Sequence, residues 1–348
     1  MTNQYSIAVL PGEGIGLEVV QATLAILQQV AIKHDFKLQV NYGKIGQSAF
    51  EQYGSYFPEI TAQICSKADA ILFGAVSKGG LLELRKKFDF FINLRPVKTF
   101  PSIIDNSSLK SNYLSGVDIL FVRELVSGIY FGASGRGEDE QGSYGYHTMQ
   151  YYDWQIKRIA QVALDQASKR RGLLTVAHKE NALPHLPWIK LTREITQEYP
   201  DVTVEPMLVD NLAMQLVINP QHFDVILASN LFGDILSDLG GALVGSIGLL
   251  GSASLNESGF GLYEPIHGTA PDITGKNQAN PLGTLASAMM MLEQWGELDA
   301  VESLQLAWNN ILNQGYRTYD LYSQDTETLV TTQELVELFL QELAIAKH

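Results

Sequence analysis

The sequence predicts an α/β fold, and three observations carry that reading. Short apolar runs alternate along the chain with stretches of helical spacing, the rhythm of strands and crossover helices. The chain opens on a strand, a glycine turn and a helix, "SIAVLPGEGIGLEVV". Its 348 residues, 46% hydrophobic, suffice to bury one large core or two smaller ones.

The elements follow in chain order. Ser6 to Leu10 reads as the first strand, and Glu18 to Ile32 repeats apolar residues at helical intervals. Gly12, Gly14 and Gly16 between them permit a tight turn. They do not make the dinucleotide fingerprint, because Gly16 comes one residue early for G-x-G-x-x-G. The next strand, Lys37 to Tyr42, also lacks the closing acid that would hold a ribose. The turn is therefore no Rossmann phosphate cradle. If the chain uses a dinucleotide, its adenosine site is expected elsewhere.

Ala70 to Gly74, Asp118 to Arg123, Leu173 to Ala177 and Asp224 to Ser229 read as further strands. From Asp153, Ile156, Ile159, Ala160, Ala163 and Ala167 recur at helical intervals until Gly172 stops them. Lys169-Arg170-Arg171 reads as favourable charge at that helix's C-terminus. Between Gly132 and Gln150 the pattern fails; the segment is polar, glycine-rich and too long for an ordinary connection. A protruding arm at about 132–150 is expected, either an oligomer interface or a mobile loop. Leu239 to Asn256 carries no charge, but its glycines and serines make it packed loop and helix rather than a membrane span.

Composition narrows the function classes. A net charge of -14 argues against a nucleic-acid or anionic-membrane surface. One cysteine, Cys65, excludes an internal disulfide and reads as a small apolar filler. The N-terminus lacks a basic flank followed by an apolar core, so a cytoplasmic protein is expected.

Four groups of residues can carry chemistry. Arg85, Arg95 and Arg123 lie in successive elements; Arg123 closes a strongly apolar strand, where a charge needs a partner. Arginine suits bidentate grip of carboxylate, so three converging arginines imply a di- or tricarboxylic substrate. Asp234 and Asp238, four apart in a helix, put two carboxylates on one face within reach of a hard cation. Ile235, Leu236 and Leu239 make that neighbourhood apolar, and Asp210 at another strand-to-helix junction is a possible third ligand for Mg²⁺ or Mn²⁺. Lys179 and Tyr130 are a candidate base and acid, though each residue type is often structural. In "YEPIHGTAPDITGKNQANP", prolines and glycines force a defined loop whose backbone can wrap a flat ring, with Asp272 able to accept from ribose hydroxyls.

Taken together, and in this order, the motifs resemble the β-decarboxylating dehydrogenases, the isocitrate and 3-isopropylmalate dehydrogenase family, over almost the whole chain. "NLFGDILSDL" and "HGTAPDITGKNQANP" are its most specific stretches. The resemblance implies a non-Rossmann two-domain fold with a central mixed sheet flanked by helices. Residues 1–90 and 245–348 would form the cofactor domain, and 91–244 the dimerisation and metal/substrate domain. It implies NAD- and metal-assisted oxidative decarboxylation of a 2-hydroxy acid. Arg85, Arg95 and Arg123 would bind substrate carboxylates, Tyr130 and Lys179 would be the acid/base pair, and Asp210, Asp234 and Asp238 the metal ligands. His267, Gly268, Thr269, Ala270, Pro271, Asp272 and Asn280 would bind the cofactor. Lys179 and Asp210 would reach the partner's site in a homodimer. Asp272-Ile273 stands where NADP-using relatives carry lysine and tyrosine, so NAD is expected.

Leu81-Leu82 resembles the 3-isopropylmalate subgroup and implies an apolar C3 substituent. Two departures imply a larger pocket: "GAVSKGGLLELRKK" lacks a loop that the subgroup carries, and Ala182 stands in place of its usual valine. A 3-isopropylmalate dehydrogenase of leucine biosynthesis and a dehydrogenase of a bulkier acid such as 3-benzylmalate, in aromatic amino-acid chain extension, both fit. A non-catalytic regulatory subunit fits less well, because every catalytic position is filled.

Overall fold

The computed structural model of the chain describes residues 2–345. Its strands of four or more residues are β1 (Gln4–Gly12), β2 (Lys37–Tyr42), β3 (Ala70–Ala75), β4 (Ile92–Lys98), β5 (Asp118–Glu124), β6 (Ser134–Asp139), β7 (Gly142–His147), β8 (Leu173–His178), β9 (Thr203–Leu208), β10 (Val225–Ala228), β11 (Gly251–Leu255) and β12 (Gly261–Pro265). All except β6 and β7 join one ten-stranded sheet in the order β2-β1-β3-β12-β11-β4-β5-β10-β8-β9. The sheet is mixed. β11 runs antiparallel to both β12 and β4, and β4 runs antiparallel to β5. The remaining neighbours are parallel.

Helices cover both faces, which is why β3, β5, β10 and β12 are buried along nearly their whole length, whereas the edge strand β2 alternates. On β1, Ile7 and Val9 join a core with Val20, Leu24 and Leu27 of the Gly16–Lys33 helix. Ala8 and Leu10, of opposite parity, pack into another with Ile71, Phe73 and Leu84. A further core sets Ile156, Ile159 and Ala163 of the Asp153–Ser168 helix against Val122, Leu174 and Leu227. Among the described residues no helix is long and apolar enough to cross a membrane.

The structure differs from the sequence expectations in four places. The stretch Leu239 to Asn256 is not only loop and helix: the Asn230–Val244 helix ends at Gly245, with φ +93°, and β11 follows. Its glycines and serines let the strand lie at the centre of the sheet, where Ser252 and Ser254 are fully buried and hydrogen-bonded. The irregular arm is a β-hairpin of β6 and β7. The helix from Asp153 stops at Ser168, so Arg170 and Arg171 are not part of its last turn. Arg170 Nε donates to the fully buried Asp224 at 2.8 Å, and the Arg171 backbone N–H donates to the same carboxylate at 2.8 Å. Finally, the apolar neighbourhood of Asp234 faces outward in part, since Ile235 is 62% exposed. Cys65 is buried and free, and burial pushes its thiol up to about 12, an inert filler.

Candidate active site

Register brings two of the arginines together. In the β4/β5 pair, Asn93 lies opposite Arg123 and Arg95 lies opposite Phe121, so both arginines point to one face on a diagonal. Asn93 holds Arg95 by accepting from its Nε at 2.8 Å, and itself donates to Ser254 Oγ at 3.0 Å. The opposite face of β4, with Leu94 and Pro96, lines a separate cavity of about 400 Å³.

The Asn230–Val244 helix packs over this face and supplies the counter-charges. Gly233 permits the approach, because a Cβ there would sit 2.6 Å from Arg123 Cγ. Arg123, 2% exposed, donates to Asp234 Oδ1 at 2.5 Å and twice to Asn230 Oδ1, at 2.7 and 3.2 Å. Arg95 donates to Ser237 Oγ at 2.8 Å and to Asp238 Oδ1 at 3.1 Å, and lies 3.5 Å from Asp234. Tyr130 Oη donates to the other Asp234 oxygen at 3.0 Å. Arg85, on the Leu81–Lys87 helix, pairs with Glu264 of β12 at 2.7 Å, while its buried Nε has no partner.

Arg85, Arg95, Arg123, Tyr130, Asp234 and Glu264 line one cavity of about 370 Å³, bordered also by Val76, Leu81, Leu82, His267 and Gly268, while Asp238 stays outside it and joins only through Arg95. Its electrostatics follow from burial and proximity. Burial, joined by the positive charge of Arg95, pulls the Arg123 guanidinium down to about 9. Burial raises the Asp234 carboxyl, but Arg123 and then Arg95 outweigh it and hold it below the ordinary carboxylate value. Asp238 goes the other way: burial, with Asp234 adding to it, outweighs Arg95 and raises it. Burial and then Asp234 raise Tyr130, so its phenol stays protonated at neutral pH.

The loop after β12 lies against the N-terminal turn. Ile15 N–H donates to Thr269 O at 3.0 Å, and Gly14, with φ +57°, sits where a Cβ would meet that oxygen at 2.1 Å. The turn thus borders the His267–Asp272 segment. Burial lowers the His267 imidazole, and its Nε2 has no partner. Asp272 is exposed, without a hydrogen-bond or ion-pair partner among the described residues.

Not every expected residue converges. Lys179 Nζ donates to Asp210 at 2.8 Å, and that contact lowers the Asp210 carboxyl. Neither residue lines the cavity, and nor does Ala182. No group of three metal-suited side chains occurs among the described residues of the single chain. Asn280 is occupied at both ends, accepting from Leu282 N–H and donating to Asp320, each at 3.0 Å.

Three groups in or beside the site had gone unnoticed in the sequence. Glu264 is Arg85's counter-ion. Asn230 holds Arg123 and donates to Ser127 O at 3.0 Å. Glu124, fully buried, accepts from Val126 and Ser127 N–H at 3.1 and 3.0 Å and so anchors the turn leading to Tyr130. A buried-strand glutamate in "FVRELV" was the available signal for the last.

Known proteins resemble this chain over nearly its whole length. The family described as isocitrate/isopropylmalate dehydrogenase matches residues 6–339. A 3-isopropylmalate dehydrogenase of Carboxydothermus hydrogenoformans is 45% identical, covering 97% of this chain and 95% of the relative. One of Aquifex aeolicus is 42% identical, covering 98% and 97%. Among solved structures, isocitrate dehydrogenase from Methylococcus capsulatus superposes with a TM-score of 0.88 at 29% identity, covering 97% of this chain and 99% of the other.

Proposed function

We propose, from the premise that this chain belongs to the isocitrate/isopropylmalate dehydrogenase family of decarboxylating oxidoreductases, that it oxidises and decarboxylates a malate with an apolar C3 substituent, using NAD. The observation that carries the reading is the convergence of three buried arginines, Asp234 and Tyr130 on one cavity whose remaining wall includes Leu81 and Leu82, with Asp238 tied to it through Arg95. Arginines suit two carboxylates, and leucines suit neither a third carboxylate nor water. The named relatives are 3-isopropylmalate dehydrogenases, and 3-isopropylmalate, in leucine biosynthesis, is the substrate that this favours. The second reading, 3-benzylmalate, draws on the short connection of five residues between β3 and the Leu81–Lys87 helix, and on Leu82 being 42% exposed.

A homodimer completes the site. Lys179 and Asp210 lie outside the cavity of their own chain, and neighbouring helices expose Met214, Ile218 and Ile235 at 52%, 51% and 62%, apolar area suited to burial against a second copy. The division into a cofactor domain, 1–90 with 245–348, and a dimerisation domain, 91–244, belongs to the same proposal.

A divalent cation would be held by Asp234, Asp238 and Asp210 of a second copy, hard oxygen donors that suit Mg²⁺ or Mn²⁺, and would polarise the substrate's hydroxyl and carboxylate. Arg95 and Arg123, now engaged by those aspartates, would then be free for the substrate's carboxylates, with Arg85 beside them. Lys179 of the second copy would take the hydroxyl proton as hydride leaves C2, and Tyr130 would return a proton to C3 after loss of CO₂. NAD would lie along His267, Gly268, Thr269, Ala270, Pro271 and Asp272, with Asn280 at its edge, and accept the hydride. The unpaired Asp272 carboxylate would repel a 2'-phosphate.

The test is kcat/KM for 3-isopropylmalate and 3-benzylmalate, each with NAD and NADP in the presence of Mn²⁺. Turnover of at least one acid with NAD preferred is expected. Preference for NADP, or no turnover of either acid, refutes the proposal; the ratio of the two acids chooses between the substrate readings.

A further inference from the structure

We propose that Glu13 positions the wall against the C3 substituent, reaching from the N-terminal turn to pin the loop that delivers Leu81 and Leu82. The inference rests on the substrate reading above and adds a specificity-positioning residue outside the cavity. The loop Val76–Gly80 has five residues between β3 and the Leu81–Lys87 helix, and Val76, Leu81 and Leu82 all line the cavity. Two carboxylates hold it. At its far end Gly80 N–H donates to Glu83 Oε2 at 2.9 Å. At its near end Glu13 Oε2 accepts from Ser77 Oγ at 2.5 Å and from Ser77 N–H at 3.2 Å.

The other Glu13 oxygen accepts from Gln47 N–H at 2.6 Å, and Glu13 N–H donates to Ala75 O at 2.7 Å. One side chain therefore joins the turn, the Gln47 segment and the loop, while two residues on Ile15 ties the same turn to Thr269. Reach is the property that matters. Aspartate would end about 1.5 Å short, which takes the Ser77 contacts beyond hydrogen-bonding distance. Glutamine has the reach but only one acceptor oxygen: it can accept from Gln47 N–H and donate to the Ser77 hydroxyl, while the Ser77 N–H contact is lost. The loop's near end would then be loose in the aspartate variant and held by the hydroxyl contact alone in the glutamine variant.

The experiment uses full-length wild type, E13D, E13Q, S77A and E13D/S77A, with kcat and KM measured for 3-isopropylmalate, 3-benzylmalate and D-malate, which lacks the substituent. Wild type should favour a substituted acid over D-malate. In E13D, KM for the favoured acid should rise about tenfold, the equivalent of one strong contact, with kcat and the D-malate KM unchanged within about twofold. E13Q and S77A should each fall between wild type and E13D, with the double variant no worse than E13D, since both changes act on the same Glu13–Ser77 contact. An equal loss on D-malate, an E13Q more impaired than E13D, or additive effects of E13D and S77A would overturn the role of Glu13. Wild type with no preference over D-malate overturns the substrate reading itself, whereas a preference that E13D leaves intact overturns only this inference.

Discussion

Replacing Asp234 by Asn tests the charge balance of the cavity. The substitution keeps shape and removes one charge. Arg123, 2% exposed, then loses the ion pair at 2.5 Å, and Arg95 loses the contact at 3.5 Å. Removing one partner of a fully buried pair costs about 3–5 kcal/mol because it strands the other charge. Here Asn230 Oδ1 still accepts two hydrogen bonds from Arg123, and the Asp234 side chain is 35% exposed. Both considerations place the cost at the lower end, about 3 kcal/mol. For a chain of 348 residues the unfolding entropy near Tm is about 0.7 kcal/mol/K, so Tm should fall by about 4 °C. Scanning calorimetry at pH 7 without metal measures it. Tyr130 and Asp238, both raised in part by Asp234, should titrate lower in the variant. A variant as stable as wild type, with Tyr130 unmoved, would refute the claim that Asp234 neutralises Arg123.

Further predictions concern the surrounding groups. Burial raises Glu124 to about 7 from an ordinary 4.5, against the lowering effect of Val126 N–H, Ser127 and Arg158. Between those values the folded state keeps a proton that the unfolded chain has released, so this group's contribution to stability falls by about 3 kcal/mol as pH rises through the window. E124Q should flatten that part of the stability-pH curve, measured by urea unfolding; an unchanged slope contradicts it. Y130F should slow formation of the decarboxylated keto acid more than NADH formation in single turnovers, and equal turnover by the variant would sink the proton-donor role. I235E should yield monomers by light scattering with activity at least a hundredfold lower; a fully active monomer rules out the shared site.

Much of the fold was legible in the sequence because its signals are local. The run Lys37 to Tyr42 reads as a strand and is β2, and Ala70 to Gly74 falls one residue short of β3. Asp234 and Asp238 share a helical face because spacing alone sets it. β11 was missed because Gly251, Ser252 and Ser254 have low strand propensity. That strand is stabilised by backbone pairing on both sides and by serine hydroxyls that find partners across the sheet.

The sequence by itself determined the alternation of elements, the loop-forming glycines and prolines after β12, and the residue types able to carry the chemistry. Tertiary structure alone decided which charges meet. Arg123 and Asp234 are 111 residues apart, Arg85 and Glu264 179, and Glu13 and Ser77 64. Helical and strand periodicity are set by near neighbours along the chain and can be read from it. A buried charge is tolerated only where the fold brings a partner, and that partner's place depends on strand order and register rather than on local spacing.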